Sequence, residues 1–197
     1  MFDSIFEFIY VIGFVAGSVV RKMYVGGHRQ NKIATDREVG LDIFLLVIVS
    51  IGFIAVPFVY LLTGWLDFAD YELPSWAGWV GTVVFAGALV LLWRSHVDLG
   101  RNWSAKMEIR EEHTLVTEGV YKYIRHPMYS AHFLWAIAQV LLLHNWIAGP
   151  AFLVTSVPLY LFRIPVEERM MLDRFGEEYK LYINRTGRMF PRLRKQV

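Results

Sequence analysis

The chain is organised around the stretch from His113 to Tyr129, which reads HTLVTEGVYKYIRHPMY. This stretch lies where a polar segment ends and a long apolar segment begins. Its Arg125-His126-Pro127 corner places a cation, an imidazole and a proline at the start of the apolar segment, and proline suits the first turn of a helix. Ionisable groups at such a membrane boundary need water, a partner or a ligand. We therefore expect the functional site at this corner.

The composition predicts an integral membrane protein that forms a single domain over residues 1–197. Of the 197 residues, 55% are apolar and only 19% are charged, which is too apolar for an ordinary soluble domain. The chain has no cysteine, so disulfides, thiolate metal ligands and a cysteine nucleophile are excluded. The 20 Lys and Arg residues cluster in polar segments between the apolar ones. The positive-inside rule explains this distribution better than nucleic-acid binding does.

Charge-free stretches predict three membrane-spanning helices within residues 1–95. Residues 8–20 carry no charge, and extension back to Phe2 gives about 19 residues, near the ~20 needed to cross a bilayer. Residues 43–66 and 73–93 form two further charge-free stretches of 24 and 21 residues. Each of these stretches is long enough to span a membrane.

The flanks of these helices predict their orientation. The loop at 67–74 contains three acids and no Lys or Arg, whereas the loop at 21–40 contains five basic residues. By the positive-inside rule the N-terminus lies outside and the 21–40 loop lies inside. Pro57 falls within the second helix and predicts a kink there. The C-terminus is then cytoplasmic, at the plasma membrane of a prokaryotic cell or the endoplasmic reticulum of a eukaryotic one.

The second half, residues 96–197, predicts a helical hairpin and an amphipathic helix. Residues 128–162 contain no Asp, Glu, Lys or Arg, and LHNW at 143–146 divides them into two stretches of roughly 16 residues. Each stretch gives ~24 Å of helix, short of a ~30 Å hydrocarbon core, so a tight hairpin is expected. Pro158 and Pro165 should bend the exit of the fifth helix. After Pro165, apolar residues at helical spacing predict an amphipathic helix on the inner face. The predicted fold is thus an all-α bundle of five transmembrane helices with this helix added.

Polar clusters are expected to meet at the inner face: the 101–125 loop, the His126 corner, and Arg163 with Glu167 and Glu168. Arg163 and Glu167 are four residues apart, which places them on one face of a helix. One interpretation is structural, namely a salt bridge and an anchoring cation at the membrane edge. The other is a catalytic or binding site. Nucleotide-binding, zinc-protease and serine-hydrolase motifs are absent from the sequence, and the histidines lack the spacing that gathers a metal.

Four motifs occur in order in the second half of the chain. They are LGRNWSAK at 99–106, the 113–129 stretch, LFRIPVEERMMLDRFGEEYKLY at 161–182 and the T-G-R-x-x-P tail. Together they resemble the isoprenylcysteine carboxyl methyltransferase family, and in particular its short prokaryotic members with five spans. The resemblance covers about residues 90–192, roughly half the chain.

The resemblance implies S-adenosylmethionine-dependent methyl transfer to the carboxylate of a prenylated cysteine or a similar lipid-modified acceptor. S-adenosylhomocysteine would be the product of the methyl donor. The acceptor would enter from the bilayer, so membrane lipids are the other expected partners. We infer no nucleic-acid partner and no obligatory protein partner.

The resemblance also implies roles for individual residues. It places Arg163 at the acceptor carboxylate, as a catalytic and substrate-binding residue, and Glu167 at the cofactor as a second catalytic residue. Glu168 would support or replace Glu167. The other implied cofactor contacts are Lys106, His113, Thr114, Leu115, Val116, Tyr121, His126, Pro127, Met128 and Tyr129. No metal site is implied.

Methyl transfer suits these residue types. Transfer from a sulfonium donor to a carboxylate cancels charge and needs alignment more than a proton shuttle. Arg163 can hold a carboxylate with its planar fork. Three alternatives stay open: a phospholipid methyltransferase acting on an amine, a sterol-type reductase that binds NADPH, and a non-enzymatic membrane scaffold. Binding of S-adenosylhomocysteine, of NADPH, or of neither separates a methyltransferase from the reductase and the scaffold.

Overall fold

The computed structural model describes residues 4–25, 33–36, 40–100, 108–110 and 114–192. The helices are α1 Ile5–Val25, α2 Gly40–Ser50, α3 Val56–Leu62, α4 Ser75–Leu99, α5 Pro127–Leu142 and α6 Ala148–Arg185. Short 3-10 turns cover Asp67–Ala69 and Gly119–Lys122. Two short strands, β1 Ile33–Asp36 and β2 Glu108–Arg110, pair antiparallel. The predicted helical class is confirmed, and this strand pair is an addition that the sequence analysis missed.

Among the described residues, three helical segments are long and apolar enough to cross a membrane. They are Gly40–Leu62, Ser75–Leu99 and Ala148–Arg185. The helix α1 has 21 residues and α5 has only 16. The arrangement of five membrane crossings therefore stays a prediction, although helices occur at all five predicted places.

The second predicted span is one helical segment with a local change of winding. A π-helical turn at Ile51–Ala55 joins α2 to α3. Pro57 lies directly after this turn, and a proline cannot donate the hydrogen bond that regular α-helical winding requires. Gly52 within the turn packs closely on α6, because a Cβ there would come within 2.5 Å of the Ala151 carbonyl oxygen. The kink predicted at Pro57 stays a prediction, and the change of winding lies in the preceding π turn.

The helix α6 differs most from the prediction. It continues from Ala148 to Arg185 through Pro158 and Pro165, so the fifth helix and the amphipathic helix expected as separate elements form one helix. Its break lies instead at Gly176, where φ is +51°, a left-handed conformation that glycine adopts without strain. The part before Gly176 is longer than a ~30 Å hydrocarbon core, so charged residues of α6 extend beyond its apolar part.

The core of the bundle is aromatic and has one polar centre. The Trp135 ring of α5 lies edge-on against Phe53 and Phe85, with centroids 5.0 and 4.9 Å away. One turn further along α5, the fully buried Gln139 accepts a hydrogen bond from the Tyr10 hydroxyl at 2.9 Å. A buried amide needs such partners, so this contact fixes α1 against α5.

One end of the bundle, here called the loop end, consists of residues 63–74 and 143–147. Its centre is the fully buried Asn145. The Asn145 amide donates to the Leu66 carbonyl and to Asp70 Oδ1, both at 2.7 Å. Its oxygen accepts from two backbone N–H groups at the start of α6, at 3.0 and 2.9 Å. The predicted turn at 143–146 is thus confirmed.

Candidate active site

The opposite end of the bundle is where the start of α5, the charged part of α6 and the chain after α6 meet. The Arg125 N–H donates to the Gly187 carbonyl at 2.9 Å, and the His126 N–H donates to the Arg188 carbonyl at 3.0 Å. These bonds fix the chain after α6 against the corner that the sequence singles out. We call this region the ionic end, and it comprises residues 123–129, 163–168 and 186–189.

Glu168 is a heavily engaged carboxylate of the ionic end. It accepts from Arg125 Nε at 3.0 Å, and from Arg188 Nε and Nη2 at 3.2 and 2.5 Å. His126 Nε2 lies 3.4 Å from its Oε1 atom. A buried carboxylate needs such compensation to remain charged. Glu168 therefore ties α5, α6 and the following chain together.

Arg125 links this carboxylate to the end of α6. Its Nη1 donates to the Thr186 carbonyl at 2.6 Å and, more weakly, to the Ile183 carbonyl at 3.3 Å. The last carbonyls of a helix lack partners within the helix, and a cation there is favourable. Arg125 thus caps α6 while it pairs with Glu168.

Glu167 is more open than its neighbour. Its side chain is 28% exposed, against 9% for Glu168. Glu167 Oε1 accepts from the Tyr129 hydroxyl at 2.5 Å. Its Oε2 lies 3.6 Å from His126 Nδ1, which is longer than a hydrogen bond. Of the two carboxylates, Glu167 is therefore the better placed to meet a cationic ligand.

His126 lies between these two carboxylates at the N-terminal cap of α5. Its buried Nε2 atom faces Glu168 Oε1 at 3.4 Å, but no partner among the described residues meets the geometry of a hydrogen bond to it. Buried polar atoms in folded proteins usually have a partner, and an exception calls for an explanation. A ligand bound at the ionic end would supply the missing hydrogen-bond partner.

Arg163 forms a buried, two-point ion pair with Asp42 of α2. Its Nε donates to Asp42 Oδ1 at 2.7 Å and its Nη2 donates to Oδ2 at 3.1 Å. Asp42 is 1% exposed and Arg163 is 8% exposed. Asp42 was not among the site residues predicted from the sequence. The signal available was a single acid directly before the charge-free stretch at 43–66.

Tyr121 connects the segment before the ionic end to α4 and to α6. Its hydroxyl donates to the Ser95 carbonyl at 3.3 Å, and its own carbonyl accepts from the Tyr182 hydroxyl at 2.6 Å. Burial, assisted by the neighbouring Tyr182, Asp98 and Glu167, raises the pKa of Tyr121 above its ordinary value. The phenol therefore remains a neutral hydrogen-bond donor at any physiological pH.

The structure groups some of the residues that the sequence analysis singled out and leaves others apart. His126, Tyr129, Glu167 and Glu168 lie together, and Arg163 lies one helical turn before Glu167 on α6. Of the other predicted contacts, Pro127 and Met128 begin α5. Thr114 is exposed, whereas Leu115 and Val116 are half-buried in an irregular segment. Lys106 and His113 lie outside the described residues. Within the described ranges, no group of three or more His, Asp or Glu side chains could hold a metal ion.

Long apolar helices with outward-facing Val83, Val154 and Leu161 and a charged cluster at one end define an integral membrane protein. A profile described as the isoprenylcysteine carboxyl methyltransferase (ICMT) family matches residues 79–173. Protein-S-isoprenylcysteine O-methyltransferase B of Arabidopsis thaliana is 37% identical over 97 residues, or 48% of this chain and 49% of that protein. A probable protein-S-isoprenylcysteine O-methyltransferase of Oryza sativa subsp. indica is 30% identical over 132 residues, or 66% of this chain and 69% of that protein.

A solved structure agrees with these sequence matches. The eukaryotic intramembrane Ras methyltransferase ICMT has a TM-score of 0.56 and 25% sequence identity, covering 92% of this chain and 62% of that one. The chain therefore belongs to the isoprenylcysteine carboxyl methyltransferase family, which confirms the resemblance drawn from the motifs. It spans about half the length of the first curated relatives it matches, from Arabidopsis thaliana and Tribolium castaneum.

Proposed function

We propose that this chain is an S-adenosylmethionine-dependent methyltransferase that esterifies the carboxylate of a prenylated cysteine or a similar lipid-modified acceptor. One observation carries the proposal: a half-open carboxylate, a buried imidazole atom with no hydrogen bond and a fixed guanidinium lie at one end of the bundle. They belong to Glu167, His126 and Arg163. Family membership supports the same reading.

The residues at the ionic end suit the methyl donor. S-adenosylmethionine carries an ammonium, a carboxylate and a sulfonium, and when bound it supplies an activated methyl group. Glu167 is the carboxylate that would pair with the ammonium, and His126 Nε2 is a buried polar atom that a ligand would satisfy. The backbone N–H groups at the start of α5 and near Leu115 and Val116 would hold the donor's carboxylate or adenine edge. Lys106 and His113 are further proposed contacts.

Glu167 rather than Glu168 is the proposed cofactor contact. Glu168 already accepts hydrogen bonds from Arg125 and Arg188. Its contribution would be to hold the His126 corner in place, so we assign it a positioning role. Tyr129 is also a positioning residue, because its hydroxyl donates to Glu167 and limits the directions in which this carboxylate can point.

Arg163 is the proposed contact for the acceptor carboxylate. The pair with Asp42 fixes the guanidinium, so little rotamer freedom remains to be lost when a substrate binds. The reaction cancels the charge of the carboxylate, and the residues therefore have to align two reactants rather than move a proton. The lipid tail of the acceptor would enter between the helices from the bilayer.

The proposed topology places the ionic end at the inner membrane face. The N-terminus would lie outside and the C-terminus in the cytoplasm, with α1, the α2–α3 segment and α4 crossing and α5–α6 forming a hairpin. The chain would be one membrane domain, with residues 1–95 as a helical frame and residues 96–197 as the catalytic half. The acidic loop at 67–74 supports this orientation.

The test uses the full chain purified in detergent. Labelled S-adenosylmethionine and a farnesylated cysteine analogue should yield base-labile label on the analogue, and calorimetry should show S-adenosylhomocysteine binding. A Glu177→Gln variant is the control, because Glu177 is an exposed acid on α6. Binding of NADPH instead would favour the reductase, and binding of neither would favour the scaffold. S-adenosylhomocysteine binding with transfer only to a phospholipid amine would point to the phospholipid methyltransferase.

A further inference from the structure

Asp42 contacts the ionic end through Arg163, although it lies far from the motifs in sequence. It is 121 residues from Arg163, on α2, and its carboxylate is 1% exposed. A buried carboxylate beside a buried guanidinium makes the pair neutral as a whole. Asp42 therefore places a negative charge directly against the guanidinium that an incoming carboxylate would meet at Arg163.

We propose that Asp42 is a positioning residue that stays bound to Arg163 during turnover and weakens its hold on the acceptor carboxylate. This inference rests on the proposed function. Displacement of Asp42 by the acceptor would leave a buried unpaired carboxylate, which is costly. Asp42 uses the Nε and Nη2 atoms of the guanidinium, so the acceptor carboxylate would share Arg163 with it.

Because the acceptor carboxylate loses its charge during the reaction, sharing Arg163 with Asp42 affects the rate of methyl transfer. An acceptor carboxylate oxygen forms a bond to the donor's methyl carbon while the carbon–sulfur bond breaks, and sulfur keeps the electron pair. Anion and cation become a neutral ester and a neutral thioether, and no proton moves. A guanidinium without Asp42 would stabilise the carboxylate before transfer more than during it, which slows the chemical step. Repulsion between the Asp42 carboxylate and the acceptor carboxylate destabilises the bound acceptor before transfer, and it therefore speeds the chemical step.

The closing experiment compares the affinities of the farnesylated cysteine analogue and of its methyl ester in Asp42→Asn. The expected ratio of carboxylate to ester affinity rises about tenfold over the wild type, because a net cation remains. The turnover number falls at least about threefold while KM for the acceptor also falls, the pattern of lost ground-state destabilisation. Glu7→Gln is the matched control, since Glu7 is a buried acid (7% exposed) on α1. Its affinity ratio should not change.

An affinity ratio and turnover number that stay at wild-type values in folded Asp42→Asn would overturn the inference and reduce the pair to a structural one. If Asp42→Asn does not bind S-adenosylhomocysteine, Asp42→Glu replaces it, because glutamate keeps the negative charge against Arg163 and changes only the length of the side chain. Its ratio of carboxylate to ester affinity should stay within about threefold of the wild type, since the charge of the pair is the same in both. A tenfold or larger change in this ratio would overturn the inference. Absent turnover in the wild type would instead overturn the proposed function, and the Asp42 inference with it.

Discussion

The two ends of the bundle are both built from buried polar side chains, but they use them differently. At the loop end, Asn145 bonds backbone groups and one aspartate, and burial raises the pKa of Tyr71, whose hydroxyl donates to the Val140 carbonyl at 3.0 Å. At the ionic end, carboxylates face arginines and an imidazole whose Nε2 lacks a hydrogen bond within the described structure.

We therefore expect the loop end to serve the fold and the ionic end to serve the proposed function. A polar group whose hydrogen bonds are all made by the protein rigidifies the fold and has little left for a ligand. Glu167 is the more exposed of the two glutamates, and His126 Nε2 has only the Glu168 carboxylate at 3.4 Å rather than a well-aligned hydrogen bond within the described residues. Substitutions should therefore damage stability at the loop end and chemistry at the ionic end, with Glu168 as the exception that supports the ionic end structurally.

The largest expected effect is that of Arg163→Ala on turnover. Loss of the guanidinium should lower methyl transfer by ~10³-fold or more, because the acceptor is no longer aligned. The affinity for S-adenosylhomocysteine should stay within about threefold of the wild type. Initial rates with labelled donor, together with calorimetry, measure both quantities. Arg169→Ala, at an exposed position on the same helix, is the control, and turnover within about tenfold of the wild type would remove Arg163 from the site.

The second-largest expected effect is a loss of stability in Glu168→Gln. It leaves Arg125 and Arg188 without their carboxylate, and breaking the buried Arg125–Glu168 pair costs about 3 kcal/mol, whereas the half-exposed Arg188 adds little. Thermal denaturation in detergent should show a lower midpoint than for the wild type. Glu178→Gln, at an exposed acid on α6, should leave the midpoint near the wild-type value. An unchanged midpoint for Glu168→Gln would contradict its role as the tie between α5 and α6.

Asn145→Ala tests the loop end. Removal of the amide leaves two acceptors and two backbone donors unsatisfied, at a cost of about 2 kcal/mol in the free energy of unfolding. The midpoint of denaturation should fall while S-adenosylhomocysteine affinity and turnover of the folded enzyme stay unchanged. Asn184→Ala, at an exposed position of α6, is the control. A selective loss of turnover in Asn145→Ala would break the distinction between the two ends.

Glu167→Gln should have the smallest effect of the four. The amide keeps the shape but loses the charge that would meet the ammonium, so S-adenosylhomocysteine affinity should fall about tenfold, or ~1.4 kcal/mol. His126→Ala should also weaken this binding. Calorimetry on both variants, with Glu177→Gln as control, gives the result. Wild-type affinity in Glu167→Gln would exclude this residue as the cofactor contact.

The fold was predictable where charge patterns mark helix ends. LHNW at 143–146 lies between α5 and α6 as expected, and helices cover the charge-free stretches. The bend expected at Pro158 and Pro165 stays a prediction, and the helix continues through both, because a proline interrupts a helix only if the freed carbonyl and ring cannot be accommodated. Gly176, whose φ of +51° ends the regular winding, carried no comparable signal among polar neighbours.

The site was predictable only in part. Local motifs singled out His126, Glu167 and Glu168, which the structure brings together, but which of the two glutamates pairs with Arg188 depends on the chain after α6. Asp42 was out of reach, because its contact with Arg163 depends on the packing of α2 against α6. Contacts between distant elements are set by tertiary packing, which a local pattern does not encode.

The hydrogen bonds that Gly187 and Arg188 make with the Arg125-His126 corner have a consequence for biosynthesis. These two residues directly follow the end of α6, so they leave the ribosome together with the end of that helix. The Arg125-His126 corner is synthesised earlier and lacks these bonds until the chain after α6 has been made. Removal of the residues after α6 should therefore leave this corner without its backbone partners.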